Sequence, residues 1–320
     1  MNPAKRRLSR SFLPGPFAAA LFFAVGFAVV PHAAAQDAML QPQTEKNYQP
    51  HPYQGKLEGD DGQWIRPAKD YASTRYSSLD QINTSNAKNL KLAFTFSTGM
   101  TRGHEAAPLV VNNTMYIVTP FPNSLYALDL SKPGAPMKWV YQPAPTPASQ
   151  GVACCDVVNR GASYDNGKIY YNTLDDQTVC VDANTGTEVW KTRVGDINKG
   201  ESITMAPIVA KGKVLVGVSG GEFGVRGWLK ALDAKTGKVA WTGYTAGPDK
   251  DVLIGPRFKP FYAQDRGQDL GVKSWPPDAW KIGGGGAWAW ISPTGVASDV
   301  GSADTWGAWP ATGSTTCGCA

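Results

Sequence analysis

The sequence predicts an all-β fold, a propeller of four-stranded, W-motif blades. Three observations carry it. One pattern occurs three times: Tyr126-Ala127-Leu128-Asp129 with Trp139, Val181-Asp182-Ala183-Asn184-Thr185-Gly186 with Trp190, and Leu232-Asp233-Ala234-Lys235-Thr236-Gly237 with Trp241. Its aspartates, Asp129, Asp182 and Asp233, lie 53 and 51 residues apart, and a fixed period of this size marks a repeat architecture. A hairpin pattern also precedes each copy, which makes four strands per unit.

Within each unit an apolar strand ends in Asp, a turn reverses it, and a strand carrying Trp follows. The first unit departs, with Lys132-Pro133-Gly134-Ala135-Pro136 in place of Thr-Gly. The preceding hairpins pair Leu109–Val111 with Met115–Thr119 across Asn112-Asn113, and Ser163-Tyr164 with Ile169–Asn172 across Asn166-Gly167. The third pairs Ile208–Ala210 with Val214–Val218 across Gly212. Asn-Gly between apolar runs is a strong hairpin signal. The tryptophans are expected to fill volume between neighbouring blades.

Residues 1–35 read as an export signal. Lys5, Arg6, Arg7 and Arg10 are followed by an apolar run from Phe17 to Val30 and by Ala33-Ala34-Ala35, a small-residue cleavage site. The run is too short to span a bilayer, and no later stretch is apolar enough. The mature chain is expected to start at Gln36 in the periplasm, where disulfides persist. The leader holds four of the 31 basic residues and none of the 26 acidic ones, which leaves +1. That balance gives no reason to invoke nucleic acid or anionic lipid. Five cysteines are too few for a disulfide scaffold, and no Cys-x-x-Cys-His offers a haem attachment site.

If the first strand of each blade crosses from one face to the other, the loops entering first strands and those joining second to third strands share a face. Glu105, the Cys154-Cys155 pair with Arg160, and Thr204 precede the three first strands, while Ser219-Gly220-Gly221-Glu222 follows a second strand. Such convergence marks a site. Arg160 offers a planar fork suited to a carboxylate. Glu222 is a hard ligand that suits a cation such as calcium. Thr204 and Ser219 supply hydroxyls. Trp288, after the run Gly283 to Gly286, could cover a flat ring. Adjacent cysteines leave two alternatives open: a small strained ring, or two unlinked thiols on opposite sides of a strand.

Taken together, these motifs resemble the quinoprotein methanol dehydrogenases, most closely the lanthanide-type branch. The resemblance is carried by Arg102-Gly103-His104-Glu105, by Gly151 to Arg160 with its cysteine pair, by Ser219 to Gly227, and by Trp275 to Gly285, and it runs from about Trp64 to Ile291. It implies an eight-bladed propeller around pyrroloquinoline quinone (PQQ) and a calcium or lanthanide ion. Cys154–Cys155 would be a vicinal disulfide on one face of the quinone, and Trp288 the indole on the other. Glu105, Arg160, Thr204 and Ser219 would hold the cofactor's carboxylates and oxygens, with Gly220 and Gly221 allowing close backbone approach and Glu222 ligating the metal. A primary alcohol, most simply methanol, is the implied substrate, a soluble cytochrome c the acceptor, and a homo-oligomer the assembly.

The chain departs from the family pattern in two places. Gly286 and Ala287 stand where threonine or asparagine is expected before the Trp. Residues 292–320 are a Gly/Ala/Thr/Ser/Trp-rich tail with no strand pattern, which reads as out of frame. The family's catalytic Asp finds no counterpart, so residues 36–291 are expected to form an incomplete, inactive arc. A non-catalytic propeller scaffold of the cell envelope and a PQQ dehydrogenase for larger alcohols are the alternatives.

Overall fold

The computed structural model describes residues 62–71, 73–154, 156–253, 267–283, 285–288 and 291. The expected leader, Cys155 and the 292–320 tail lie outside them. Among these described residues, twelve strands form three four-stranded antiparallel sheets, each ordered as in the sequence. The first holds β1 (Leu109–Val111), β2 (Thr114–Val118), β3 (Leu125–Asp129) and β4 (Met137–Tyr141). The second holds β5 (Ala162–Asp165), β6 (Lys168–Thr173), β7 (Gln177–Asp182) and β8 (Glu188–Arg193). The third holds β9 (Ile208–Ala210), β10 (Lys213–Gly217), β11 (Trp228–Asp233) and β12 (Val239–Tyr244). The expected arc of blades is therefore present, and no described helix is long and apolar enough to cross a membrane.

The turn chemistry explains the register. Asn112-Asn113, Asn166-Gly167 and Lys211-Gly212 all take positive φ, the conformation of tight turns that match strand twist. Each marker aspartate then caps its own reversal. Asp182 Oδ1 accepts the N–H groups of Asn184 and Thr185 at 3.0 and 3.1 Å. Asp233 Oδ1 does the same for Lys235 and Thr236 at 3.1 and 3.0 Å. Asp129 caps Ser131 at 3.0 Å, so the first unit keeps the cap without the Thr-Gly. A register shift recurs at one repeat position, between Ala127 and Leu128, Cys180 and Val181, and Ala231 and Leu232.

Alternation assigns each side of the middle sheet to a different neighbour. Ile169, Tyr171, Val179 and Val181 pack with Leu109, Tyr116, Leu125 and Ala127 of the first sheet. Tyr170 and Cys180 face the other way, into Val209, Val214, Leu215 and Val216 of the third. Sheets buried on both faces stack as blades do. The fourth strands β4 and β8 are mostly exposed, as an outer rim should be. Between sheets, Trp139 Nε1 donates to the Ala183 carbonyl at 3.2 Å, and Trp190 Nε1 to that of Ala234 at 3.1 Å. A Cβ on Gly186 or Gly237 would stand 2.7 Å from the respective indole. The Ala-x-Thr-Gly turn is thus the seat for the preceding blade's Trp, which accounts for both halves of the repeat.

The sequence pattern did not anticipate the short helices α1 (Asp249–Val252) and α2 (Leu270–Lys273). Arg226 anchors this region. Its guanidinium donates to the Ala246 carbonyl at 2.9 and 2.6 Å, pairs with Asp251 at 2.9 Å, and lies over the rings of Tyr244 and Trp280. The chain that leads to Trp288 is held to the third blade there.

Candidate functional site

The loops entering the first strands meet beside one another. A parallel bridge joins Ala107 to Gly161. The Arg160 N–H donates to the Thr204 carbonyl at 3.0 Å, which ties the entry loops of blades two and three. From this backbone frame a continuous polar chain projects. Arg160 Nη2 lies 3.0 Å from Glu105 Oε2, and Nη1 donates to Thr204 Oγ1 at 2.7 Å. Thr204 Oγ1 lies 3.3 Å from Ser219 Oγ. Ser219 is itself fixed by its N–H, which donates to the Ser202 carbonyl at 2.8 Å. Three consecutive blades thus contribute to one line of polar groups, as their loop positions predicted.

Trp288 closes one side, with the Arg160 guanidinium carbon 5.0 Å from its ring centroid. The glycine-rich run makes this approach feasible. A Cβ on Gly217, the last residue of β10, would stand 2.2 Å from the Ala287 carbonyl oxygen, so backbone lies directly on backbone there. A Cβ on Gly286 would meet the Val218 carbonyl at 3.2 Å, so a side chain at 286 would crowd the backbone just after β10. Gly220, at φ 103°, would drive a Cβ to 2.2 Å from the Gly200 carbonyl oxygen. Its close backbone approach is therefore to the preceding loop of the same chain. Gly221 begins the single turn Gly221–Phe223, on which Glu222 is exposed.

The arrangement matches a flat anion. The Arg160 side chain is only 17% exposed, so its charge is partly desolvated, while Glu105 opposite it is 46% exposed. Such a guanidinium grips a carboxylate more strongly than one in bulk water, and Trp288, 43% exposed, offers a ring face. A cation finds less. Glu222 is one carboxylate, and among the described residues no group of three or more His, Cys, Asp or Glu side chains could hold a metal ion. Cys154 is exposed, and its pairing with Cys155 falls outside the described residues. Cys180 is a buried free thiol in β7, pushed up to about 12 by burial.

Sequence reasoning missed three contributors. Asn159 and Asn172 are buried amides behind Arg160, and Ser202 pairs with Ser219. A polar Asn172 inside the apolar run of β6 was the available signal. A cavity of about 700 Å³ is bounded by Lys199, Glu201, Arg226, Trp228 and Lys230, and no candidate residue lines it. Next to its wall residues Gly195 and Glu201, the Asp176 carboxyl is raised to about 8 by burial and then by Glu201 and Asp175.

Comparison with known proteins identifies the family. Residues 64–293 match the family model of the glucose/ethanol/alcohol dehydrogenase PQQ β-propeller domain. The chain is 53% identical over 237 residues to the lanthanide-dependent methanol dehydrogenase of Methylacidiphilum fumariolicum (strain SolV), covering 74% of this chain and 39% of that protein. It is 48% identical over 243 residues to subunit 1 of the methanol dehydrogenase [cytochrome c] of Methylobacterium organophilum, with the same coverage. The solved structure of a europium-containing methanol dehydrogenase superposes with a TM-score of 0.69 at 53% identity, over 71% of this chain and 40% of that one. The chain thus spans about two-fifths of the length of these relatives. It belongs to the PQQ-dependent glucose/ethanol/alcohol dehydrogenase β-propeller family.

Proposed function

We propose that this chain is the cofactor-gripping part of a periplasmic PQQ-dependent alcohol dehydrogenase, with methanol the leading substrate and a soluble cytochrome c the electron acceptor. The single observation behind it is the Glu105–Arg160–Thr204–Ser219 chain beneath Trp288. When bound, PQQ supplies an electrophilic quinone that accepts two electrons from an alcohol. Arg160 binds a carboxylate of the cofactor, and Thr204 and Ser219 offer hydroxyls along its edge. Glu105 holds the guanidinium in plane. Trp288 covers one ring face and excludes water from it, with the Cys154–Cys155 pair assigned to the other. Glu222 would serve as one ligand of a calcium or lanthanide ion, which would polarise the quinone carbonyl as a Lewis acid.

A proton acceptor for the alcohol has no candidate among these groups. The 320-residue chain by itself is therefore expected to bind PQQ without turning over. The test is a fluorescence titration of the full chain with PQQ and lanthanum or calcium. Saturable quenching is expected, with affinity lowered about a hundredfold in Arg160→Ala, the loss of a partly buried charged partner. No saturation, or equal affinity in the variant, would reject the assignment. Dye reduction above a Glu222→Ala control would instead reject the expected lack of turnover. Residues 1–35 are assigned to an export leader, and an exported protein that begins at Met1 rather than Gln36 by mass spectrometry would contradict that.

A further inference from the structure

Behind Arg160 and Thr204 runs a second set of hydrogen bonds, built on the side chains of Asn159 and Asn172. Asn159 Nδ2 donates to the Asn172 carbonyl at 2.8 Å, and its Oδ1 accepts the Gly161 N–H at 2.9 Å. The Asn159 side chain therefore spans the backbone on both sides of Arg160. Asn172 Nδ2 donates to the Met205 carbonyl at 3.0 Å, and its Oδ1 accepts the Thr178 hydroxyl at 2.9 Å. Both amides are almost wholly buried, at 1% and 0% exposure. Together they run from the backbone of Arg160, through β6, to the residue after Thr204.

We propose that Asn159 and Asn172 are positioning residues that set the register between Arg160 and Thr204, and hence the grip on the cofactor's carboxylate. This rests on the function proposed above. The chemistry calls for an amide. Each site must donate to a carbonyl and accept an N–H or O–H at once, and a primary amide does both from one planar group. An aspartate keeps the acceptor but turns a carboxylate oxygen toward a carbonyl. An apolar residue strands both buried partners. The link is specific because Arg160 and Thr204 sit on different blades. Their side-chain bond of 2.7 Å survives only if the two entry loops keep their offset, and small misplacements of a binding group are costly.

A control lies in the same interface. Ser163 Oγ, also buried, donates to the Pro207 carbonyl at 2.6 Å, joining the same two blades without involving either amide or the Arg160–Thr204 pair. Asn172→Asp, Asn159→Asp and Ser163→Ala are prepared in the full chain. Nitrogen-edited NMR of the arginine side chains reports the order of the Arg160 guanidinium without any ligand, and urea unfolding reports stability. Both Asn variants are expected to lose the protected Arg160 signal and to bind PQQ about tenfold more weakly. Ser163→Ala is expected to lose stability while keeping both properties. If Asn172→Asp does not fold, Asn159→Asp decides from the other end of the link. An ordered Arg160 in a folded Asn variant, or its loss in Ser163→Ala, overturns the proposal. An ordered Arg160 in the unaltered chain that binds no PQQ overturns only the proposed function.

Discussion

The layer between blades and the loops at the entry face are built by opposite rules. Between blades, one solution is used twice. Trp139 sits on Ala183 and Gly186, and Trp190 sits on Ala234 and Gly237, with the same indole-to-carbonyl bond each time. At the entry face nothing repeats. The corresponding loop positions hold Glu105, Arg160 and Thr204, three residue types joined end to end. Packing volume is a need that every blade shares, so identical residues meet it. A ligand is bound once, so each blade contributes a different group to it.

The comparison breaks most directly at the indoles. Trp190→Ala is expected to cost ~4 kcal/mol, because it removes a large ring and leaves a cavity that close-packed neighbours cannot fill. Trp139→Ala should cost about the same, since its seat is the same. Urea unfolding of the full chain gives both numbers. Clearly unequal losses would mean that the two seats are not equivalent despite their shared residues. Loss of ligand affinity without loss of stability would put the indoles in the site and erase the distinction.

Titration sharpens it from the loop side. Asp176 lies in the turn between β6 and β7, on the face that carries the site. Burial, then Glu201 and Asp175, and more weakly Asp196, raise its carboxyl to about 8, against which Arg193 acts in the other direction. Among the described residues, neither carboxylate oxygen has a hydrogen-bond partner. The native state therefore holds a proton that the unfolded chain releases above 3.8. Stability is greatest below that value, falls as pH rises toward about 8, and is flat beyond. The loss between pH 5 and pH 8.5 is expected to be on the order of 4 kcal/mol. Asp176→Asn should remove most of that slope in urea midpoints measured across the range. An unchanged slope would mean that another group holds the proton.

How much was legible in the sequence follows from the same contrast. The blades could be read because Asp182, Gly186 and Trp190 recur with constant spacing, and each has a local cause in a cap, a seat or a ring. Arg160, Thr204 and Ser219 could be placed on one face because strand counting fixes on which side a loop emerges. Their bonding could not be read, since it depends on the offset between blades, which no local pattern encodes. Asn159 and Asn172 escaped for that reason, because most of their partners are backbone groups that carry no sequence signature. The helices α1 and α2 escaped because four residues are too few for helical periodicity to appear.

The smallest effect is expected where the repeat is most regular. Asp182 is held down to about 2, first by its bond to Lys168, against the opposing cost of burial, and further by the N–H groups of Thr185 and Asn184. Its folded value lies below its unfolded one, so its contribution is complete above 3.8 and disappears as pH falls toward about 2. The side chain is close to solvent, so the 2.9 Å pair with Lys168 is worth little. Asp182→Asn keeps an oxygen to cap the turn and loses only the charge. Less than about 1 kcal/mol should be lost at neutral pH, and nothing below pH 2. A larger loss at neutral pH would mean that the turn needs the carboxylate itself. The seat it shapes for Trp139 would then depend on charge as well as volume, and the interblade layer would be less purely a matter of packing than its repetition implies.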